Sequence, residues 1–278
     1  MSLQSINLYN LLAKKKLFKK KVNFSLKRIK EALIRLNNPE KKLNKVVNII
    51  GSDGKYSVLT YLKFFIEADG LKTSAFISPS IKSIKERFWI GDRFLTYYEI
   101  KKSISDIEKL KIPLTIFEVL TLIFILNASK QNNDFNLIEA GALFEKDSTN
   151  LFAFPFAQVV VNINKQHLNF LRRKTIDEIV KQKVGSLSQF TKLYIAEQKP
   201  HILRKIKKRL KNNLSYKIYS NSWRLRRLNK GLVYYDKKNR INVRTKNIHS
   251  EGLKKNLALA IKIALDIGIK PKVIERTI

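Results

Sequence analysis

The chain has 278 residues, 44% of them hydrophobic, and a formal net charge of +34. That length allows one large domain or two small ones, with enough apolar side chains to build a packed core. It contains no cysteine, which excludes disulfides, thiolate metal sites and a cysteine nucleophile and fits a cytoplasmic setting. No apolar run reaches the roughly 20 residues that cross a bilayer, so no membrane partner is expected.

Positive charge is carried mostly by lysine and is spread along the whole sequence. Readers of nucleic acid more often concentrate arginine and interleave aromatic residues, so nucleic acid is not expected as a partner. A basic nucleic-acid-binding module nevertheless stays open as an alternative.

In chain order, residues 24–36 place Leu26, Ile29, Leu33 and Leu36 on one helical face, and Asn37, Asn38 and Pro39 end that helix. Val46 to Ile50 is a short continuous apolar run, the pattern of a strand buried on both faces. A loop over 51–55 follows, then an apolar helix through Ala68 with Gly70 as its C-terminal cap. Strands are expected at 73–77, 135–139, 158–162, 193–196 and 216–219, and helices at 97–109, 115–128, 175–184, 200–211 and 256–267. The stretch 223–248 reads as antiparallel β structure with a turn at 236–239. Strands alternating with helices predict an α/β fold with a mostly parallel, doubly wound sheet.

The loop after the first strand reads Gly51-Ser52-Asp53-Gly54-Lys55-Tyr56-Ser57. It lacks the upstream glycine of the full phosphate-loop pattern, where Ile49 stands. A shorter glycine–lysine–hydroxyl loop at a helix start still suits a triphosphate. Backbone amides curl around phosphate oxygens, the helix end adds partial positive charge, Lys55 reaches the terminal phosphates, and Ser57 offers an oxygen to Mg²⁺.

The run from Arg35 to Ser57 resembles the start of the folylpolyglutamate synthase and dihydrofolate synthase family of the Mur ligase superfamily, which typically shows L-G-N-P and then, after a strand, G-T-N-G-K-G-S. Further motifs follow in order. Ile77-Ser78-Pro79-Ser80 resembles T-S-P-H, Glu86-Arg87-Phe88 resembles E-R-I, and Phe117 to Thr121 matches F-E-V-L-T. Leu137 to Gly141 and Asp147 to Asn150 bracket the usual L-E-V-G-L-G-G-R-L-D-A-T-N. Asn162 to His167 resembles N-I-G-L-D-H, Lys181 to Gly185 resembles R-E-K-A-G, and Asn256 stands at the asparagine of H-Q-x-x-N-A.

The resemblance implies an ATP- and Mg²⁺-dependent ligase that adds L-glutamate to dihydropteroate or tetrahydrofolate through an acyl phosphate. It implies that Gly51 to Ser57 and Asn256 bind the nucleotide. Ser57, Ser78, Glu139 and His167 would serve the metal sites. Lys55, Lys183 and His167 would be catalytic, with Lys183 at the position of a lysine that the superfamily carbamylates. Phe117, Thr121 and Asp147 would face the substrate. A monomer is expected.

Several positions depart from the pattern. Tyr56 replaces a glycine, Ser80 a histidine, Leu143-Phe144-Glu145 the usual G-G-R, Gln166 an aspartate, and Gly252 a histidine. A catalytically inactive relative is therefore a second alternative. The family continues into a smaller Rossmann-like domain, so residues 1–270 are expected to form the ATP-binding domain and 271–278 to begin a linker. Without the second domain, the expectation is nucleotide binding with poor ligation.

Overall fold

The structure, a computed structural model, describes residues 12, 18, 23–210, 215–228, 231–244 and 248–278. Its centre is an eight-stranded sheet in the order β4-β3-β2-β5-β1-β6-β7-β8. These strands are β1 (Val46–Ile50), β2 (Thr73–Phe76), β3 (Phe88–Gly91), β4 (Arg93–Phe94), β5 (Phe135–Glu139), β6 (Ala157–Val160), β7 (Lys192–Ile195) and β8 (Tyr216–Ile218). All neighbouring pairs from β2 to β8 are parallel, and β3 and β4 add an antiparallel edge.

β1 shows why the sheet is central. All five of its residues are buried. Alternation sends Val47 and Ile49 to one face, and Val46 and Ile50 to the other. The first face is covered by α2 (Lys55–Ala68), α7 (Glu251–Asp266), α8 (Pro271–Thr277) and a separate antiparallel sheet of β9 (Trp223–Leu228), β10 (Gly231–Asp236) and β11 (Arg240–Val243). On the other face, α1 (Leu26–Arg35), α3 (Tyr97–Glu108) and α4 (Ile116–Ala128) pack on one half, and α5 (Ile176–Val184) with α6 (Pro200–Arg209) on the other.

Two expected elements come out differently. The helix expected from residue 256 begins at Glu251, because Ser250 caps it through a hydrogen bond from the Leu253 amide (3.1 Å). Residues 271–277, read as the start of a linker, form helix α8, whose Val273 and Ile274 are buried in the core against α2 and α7. No helix among the described residues is long and apolar enough to cross a membrane.

β1 and β6 are neighbours whose outgoing helices, α2 and α5, cover opposite faces. Such a switch point opens a crevice beyond the carboxyl ends of the strands. The loops 51–54 and 161–167 leave the sheet there.

Candidate active site

The loop from β1 to α2 bends on two glycines. Gly51 has φ 146° and Gly54 φ 93°, a region in which a side chain is strained. A Cβ on Gly51 would lie 2.3 Å from Val161 Cγ2, and one on Gly54 would lie 2.5 Å from Asn256 Nδ2. Both glycines therefore serve close approach as well as the turn.

The amides of Ser52 and Asp53 both donate to the Asn162 carbonyl (2.8 and 3.3 Å). They tie the loop to the segment that follows β6 instead of facing outward. The first-turn amides of Lys55, Tyr56 and Ser57 open α2 and have no carbonyl acceptor within it. These are the donors the helix end offers to an anion.

Lys55 is buried, donates to the Ser52 carbonyl (3.0 Å) and lies 3.7 Å from Glu139 Oε1, an ion pair without a hydrogen bond. Glu139 ends β5 and accepts from the Ser78 amide (3.2 Å). Burial pushes its carboxyl up to about 7 against the pull of Lys55. A desolvated carboxylate of this kind is a hard oxygen ligand that a nearby divalent cation would stabilise. Ser57 donates to the Gly54 carbonyl (3.0 Å) and accepts from Asn256 Nδ2 (2.8 Å). Among the described residues no cluster of three His, Cys, Asp or Glu side chains could hold a metal by itself. Glu139 and Ser57 suit Mg²⁺ as a pair of oxygen donors that share the ion with phosphate, which is how this ion is commonly held.

Lys183 comes from α5, on the opposite face of the sheet, and is 1% exposed. Its ammonium donates to the carbonyls of Gly51 and Ala142, both at 2.7 Å. Burial and the neighbouring Lys55 push it down to about 7. His167 has positive φ (58°) and stacks on Phe170 with ring centroids 6.0 Å apart. Burial, Lys183 and Lys55 lower its pKa.

Asp147 is buried and accepts from Thr149 Oγ1 (2.7 Å) and the Thr149 amide (3.0 Å). Burial raises its pKa against those bonds. It lines a cavity of about 290 Å³ together with Phe117, Arg87, Glu118, Lys146 and Ser148. Thr121 is not among the lining residues. It is buried behind them, its hydroxyl within hydrogen-bond distance of the Phe117 carbonyl (2.9 Å) and the Ser148 hydroxyl (2.8 Å). Arg87 is 6% exposed and reaches the Ile77 carbonyl (3.4 Å). Arg87 belongs to the Glu86-Arg87-Phe88 motif, and its burial in the wall that it shares with Phe117 is a feature that the motif's letters do not signal.

The departures from the family pattern can now be located. Tyr56 is 45% exposed, so its bulk points away from the loop interior. Leu143 and Phe144 are buried in the core beside α5. Gln166 donates to Asp53 Oδ1 (2.6 Å), and Asn164 to Asp53 Oδ2. The family's usual letters put an amide at 53 and a carboxylate at 166, and this chain has the reverse. In this chain the two side chains bond, the Gln166 amide donating and the Asp53 carboxylate accepting.

Together the switch-point crevice, the glycine loop and the buried lysines define an α/β domain with a phosphate-loop-like site at the carboxyl end of its sheet. No family model matches the chain. In sequence and fold the chain is similar to folylpolyglutamate and dihydrofolate synthases. The dihydrofolate synthase/folylpolyglutamate synthase of Bacillus subtilis is 27% identical over 191 residues, covering 66% of this chain and 44% of that protein. The dihydrofolate synthetase of Saccharomyces cerevisiae is 26% identical over 174 residues, covering 60% and 40%. The match thus spans less than half of these curated relatives. The apo form of L. casei FPGS superposes with a TM-score of 0.84 at 18% identity, over 98% of this chain and 70% of that one. An FPGS–AMPPCP–folate complex gives 0.84 at 18% identity with the same coverage. A bifunctional folylpolyglutamate synthase/dihydrofolate synthase with Mn, AMPPNP and L-glutamate bound gives 0.78 at 19%, over 98% and 64%.

Proposed function

We propose that the chain binds ATP–Mg²⁺ in the β1–α2 crevice as part of a ligase that joins L-glutamate to dihydropteroate or tetrahydrofolate. The observation that carries the reading is the meeting of Lys55 and Ser57 from α2, Glu139 from β5 and Lys183 from α5 at one switch point. The relatives' bound ligands, a non-hydrolysable nucleotide with folate or with L-glutamate, agree with it.

In this reading Lys55 exchanges its contact with the Ser52 carbonyl for the terminal phosphates. The first-turn amides and the helix end add to the charge that repulsion between a carboxylate and a triphosphate demands. Asn256 holds the Ser57 hydroxyl by donating to it, leaving that oxygen aligned for a metal. Mg²⁺, held by Ser57 and Glu139 with His167 and Ser78 nearby, would neutralise phosphate charge. The pterin ring would lie in the cavity against Phe117, with Asp147 below it.

The chemistry balances in two steps. A substrate carboxylate oxygen attacks the γ-phosphorus and ADP leaves. The glutamate amine then attacks the acyl carbon, phosphate leaves, and the amine proton is lost to solvent or a base. Burial beside Lys55 lowers the Lys183 pKa to about 7, the direction that carbamylation by CO₂ requires.

The test is ADP release by the protein, dependent on both L-glutamate and dihydropteroate or tetrahydrofolate. Omitting either substrate should return the rate to background. Nucleotide turnover indifferent to both would overturn the ligase reading.

A further inference from the structure

Positive charge is spread along the chain, but arginine is not. Five of its 14 arginines (224, 226, 227, 240 and 244) fall in the short stretch of the small antiparallel sheet. Strand register sorts them. Arg224, Tyr235 and Arg240 form one cross-strand row, and Arg226, Val233 and Asn242 the next. Trp223, Leu225, Tyr234 and Ile241 alternate onto the inner face and pack in the core. Arg224, Arg226, Tyr235, Arg240 and Asn242 therefore share the outer face, and Arg244 continues it at the same parity.

The four arginines of that face and Asn242 are exposed. Tyr235 is half-buried, with the Arg240 guanidinium carbon 5.8 Å from its ring centroid. The sole carboxylate in these strands, Asp236, alternates to the inner face and is held by Tyr234 and Lys262, each at 3.0 Å. The outer face is thus an array of guanidinium groups around one aromatic ring, with no carboxylate among its strand residues.

We propose that the outer face of β9–β11 binds single-stranded nucleic acid, with its arginines on backbone phosphates and Tyr235 against a base. Strand geometry sets Arg224 and Arg226 roughly 7 Å apart along β9, and Arg240, two strands over, roughly 10 Å from Arg224. Guanidinium forks match phosphate oxygens and stack on planar rings, which ammonium groups do not. A shallow sheet face suits unstacked bases, whereas a duplex is read by an element entering a groove. An anionic membrane shares the phosphate chemistry but calls for protruding apolar side chains, and Leu228 in the last row is the one exposed example among the described residues of this face. None of these residues belongs to the proposed ligase site, so the two readings stand or fall separately.

The test is fluorescence anisotropy of a labelled 12-nucleotide oligouridylate titrated with the protein across a salt series. The triple variant R224Q/R226Q/R240Q is compared with R204Q/K207Q/K208Q on α6, which removes the same charge elsewhere. The sheet variant should weaken binding at least 10-fold more than the α6 variant, and its log K against log salt slope should flatten by about 2, for three phosphates at about 0.7 each. Tyr235→Leu should weaken binding about 5-fold or more with the slope unchanged. Equal losses in the two triple variants would overturn the proposal. So would an unaffected Tyr235→Leu protein, tighter binding of a 12-base-pair duplex, or loss confined to phosphatidylserine vesicles.

Discussion

Helix α7 joins two regions that carry the same sign of charge in opposite ways. Near its start, Asn256 touches the loop where Lys55 and Lys183 are buried. Farther along, Lys262 holds Asp236 under a sheet whose arginines are exposed. A buried cation has lost its hydration and is held by a few fixed carbonyls, so it waits for one anion in one place. An exposed cation keeps its water, contributes little to stability and acts through the field it adds to its neighbours. One net charge therefore covers two kinds of work, and substitutions should separate them.

The largest effect should come from Lys55→Ala, which removes the cation facing the crevice. We expect a loss of about 10²- to 10³-fold in glutamate-dependent ADP release, as for other transition-state charge partners. An unchanged rate would remove the basis for setting this region apart.

Lys183 gives the next largest effect, as a pH dependence of stability. Its folded pKa is about 7 against an ordinary 10.5, so between those values the unfolded chain binds more protons. Stability without ligand should therefore rise with pH across that window, by up to about 1.4 kcal/mol per pH unit from this group. Urea unfolding of Lys183→Met should lack that increment, and parallel slopes for the two proteins would contradict the burial argument.

Gly51→Ala tests the loop's shape at constant charge. The added Cβ meets Val161 in a strained backbone region, for an expected cost of about 1 to 3 kcal/mol by thermal or urea unfolding.

The exchanged pair is subtler. Gln166→Glu sets two carboxylates against each other at Asp53 and should weaken nucleotide affinity about 10-fold, measured by calorimetry. Adding Asp53→Asn should restore most of it, as a double-mutant cycle would reveal. Arg226→Gln should be smallest, within about 0.5 kcal/mol of the parent stability.

How much of this could be read from the sequence differs by region for physical reasons. Val46 to Ala68 was legible because strand, glycines, lysine and helix are contiguous and each obeys a local rule. The edge strands β3 and β4 were missed. Phe88 to Phe94 is a short aromatic stretch broken by Gly91, and only pairing with Thr73 to Phe76 makes it a strand. Residues 271–277 read as linker because seven residues carry too little periodicity, and burial of Val273 and Ile274 against α2 and α7 decides their state. The Asp53–Gln166 contact joins residues 113 positions apart. Gln166, which alone looks like damage, becomes intelligible only beside Asp53. The arginine face was invisible to composition, since alternate positions on three strands converge only through their register.

The hydrogen bond from Asn256 to Ser57 spans 199 positions. At translation rates of about 5 to 20 residues per second, that separation is roughly 10 to 40 s of synthesis. A nascent chain exposes β1, the glycine loop and α2 long before α7 exists to cover them. Through that interval the apolar side of α2, from Val58 to Ile66, lacks its principal neighbour. The oldest recognisable motif in the emerging chain is thus completed among the last, and the ribosome-bound intermediate should be the form of this protein most dependent on chaperones.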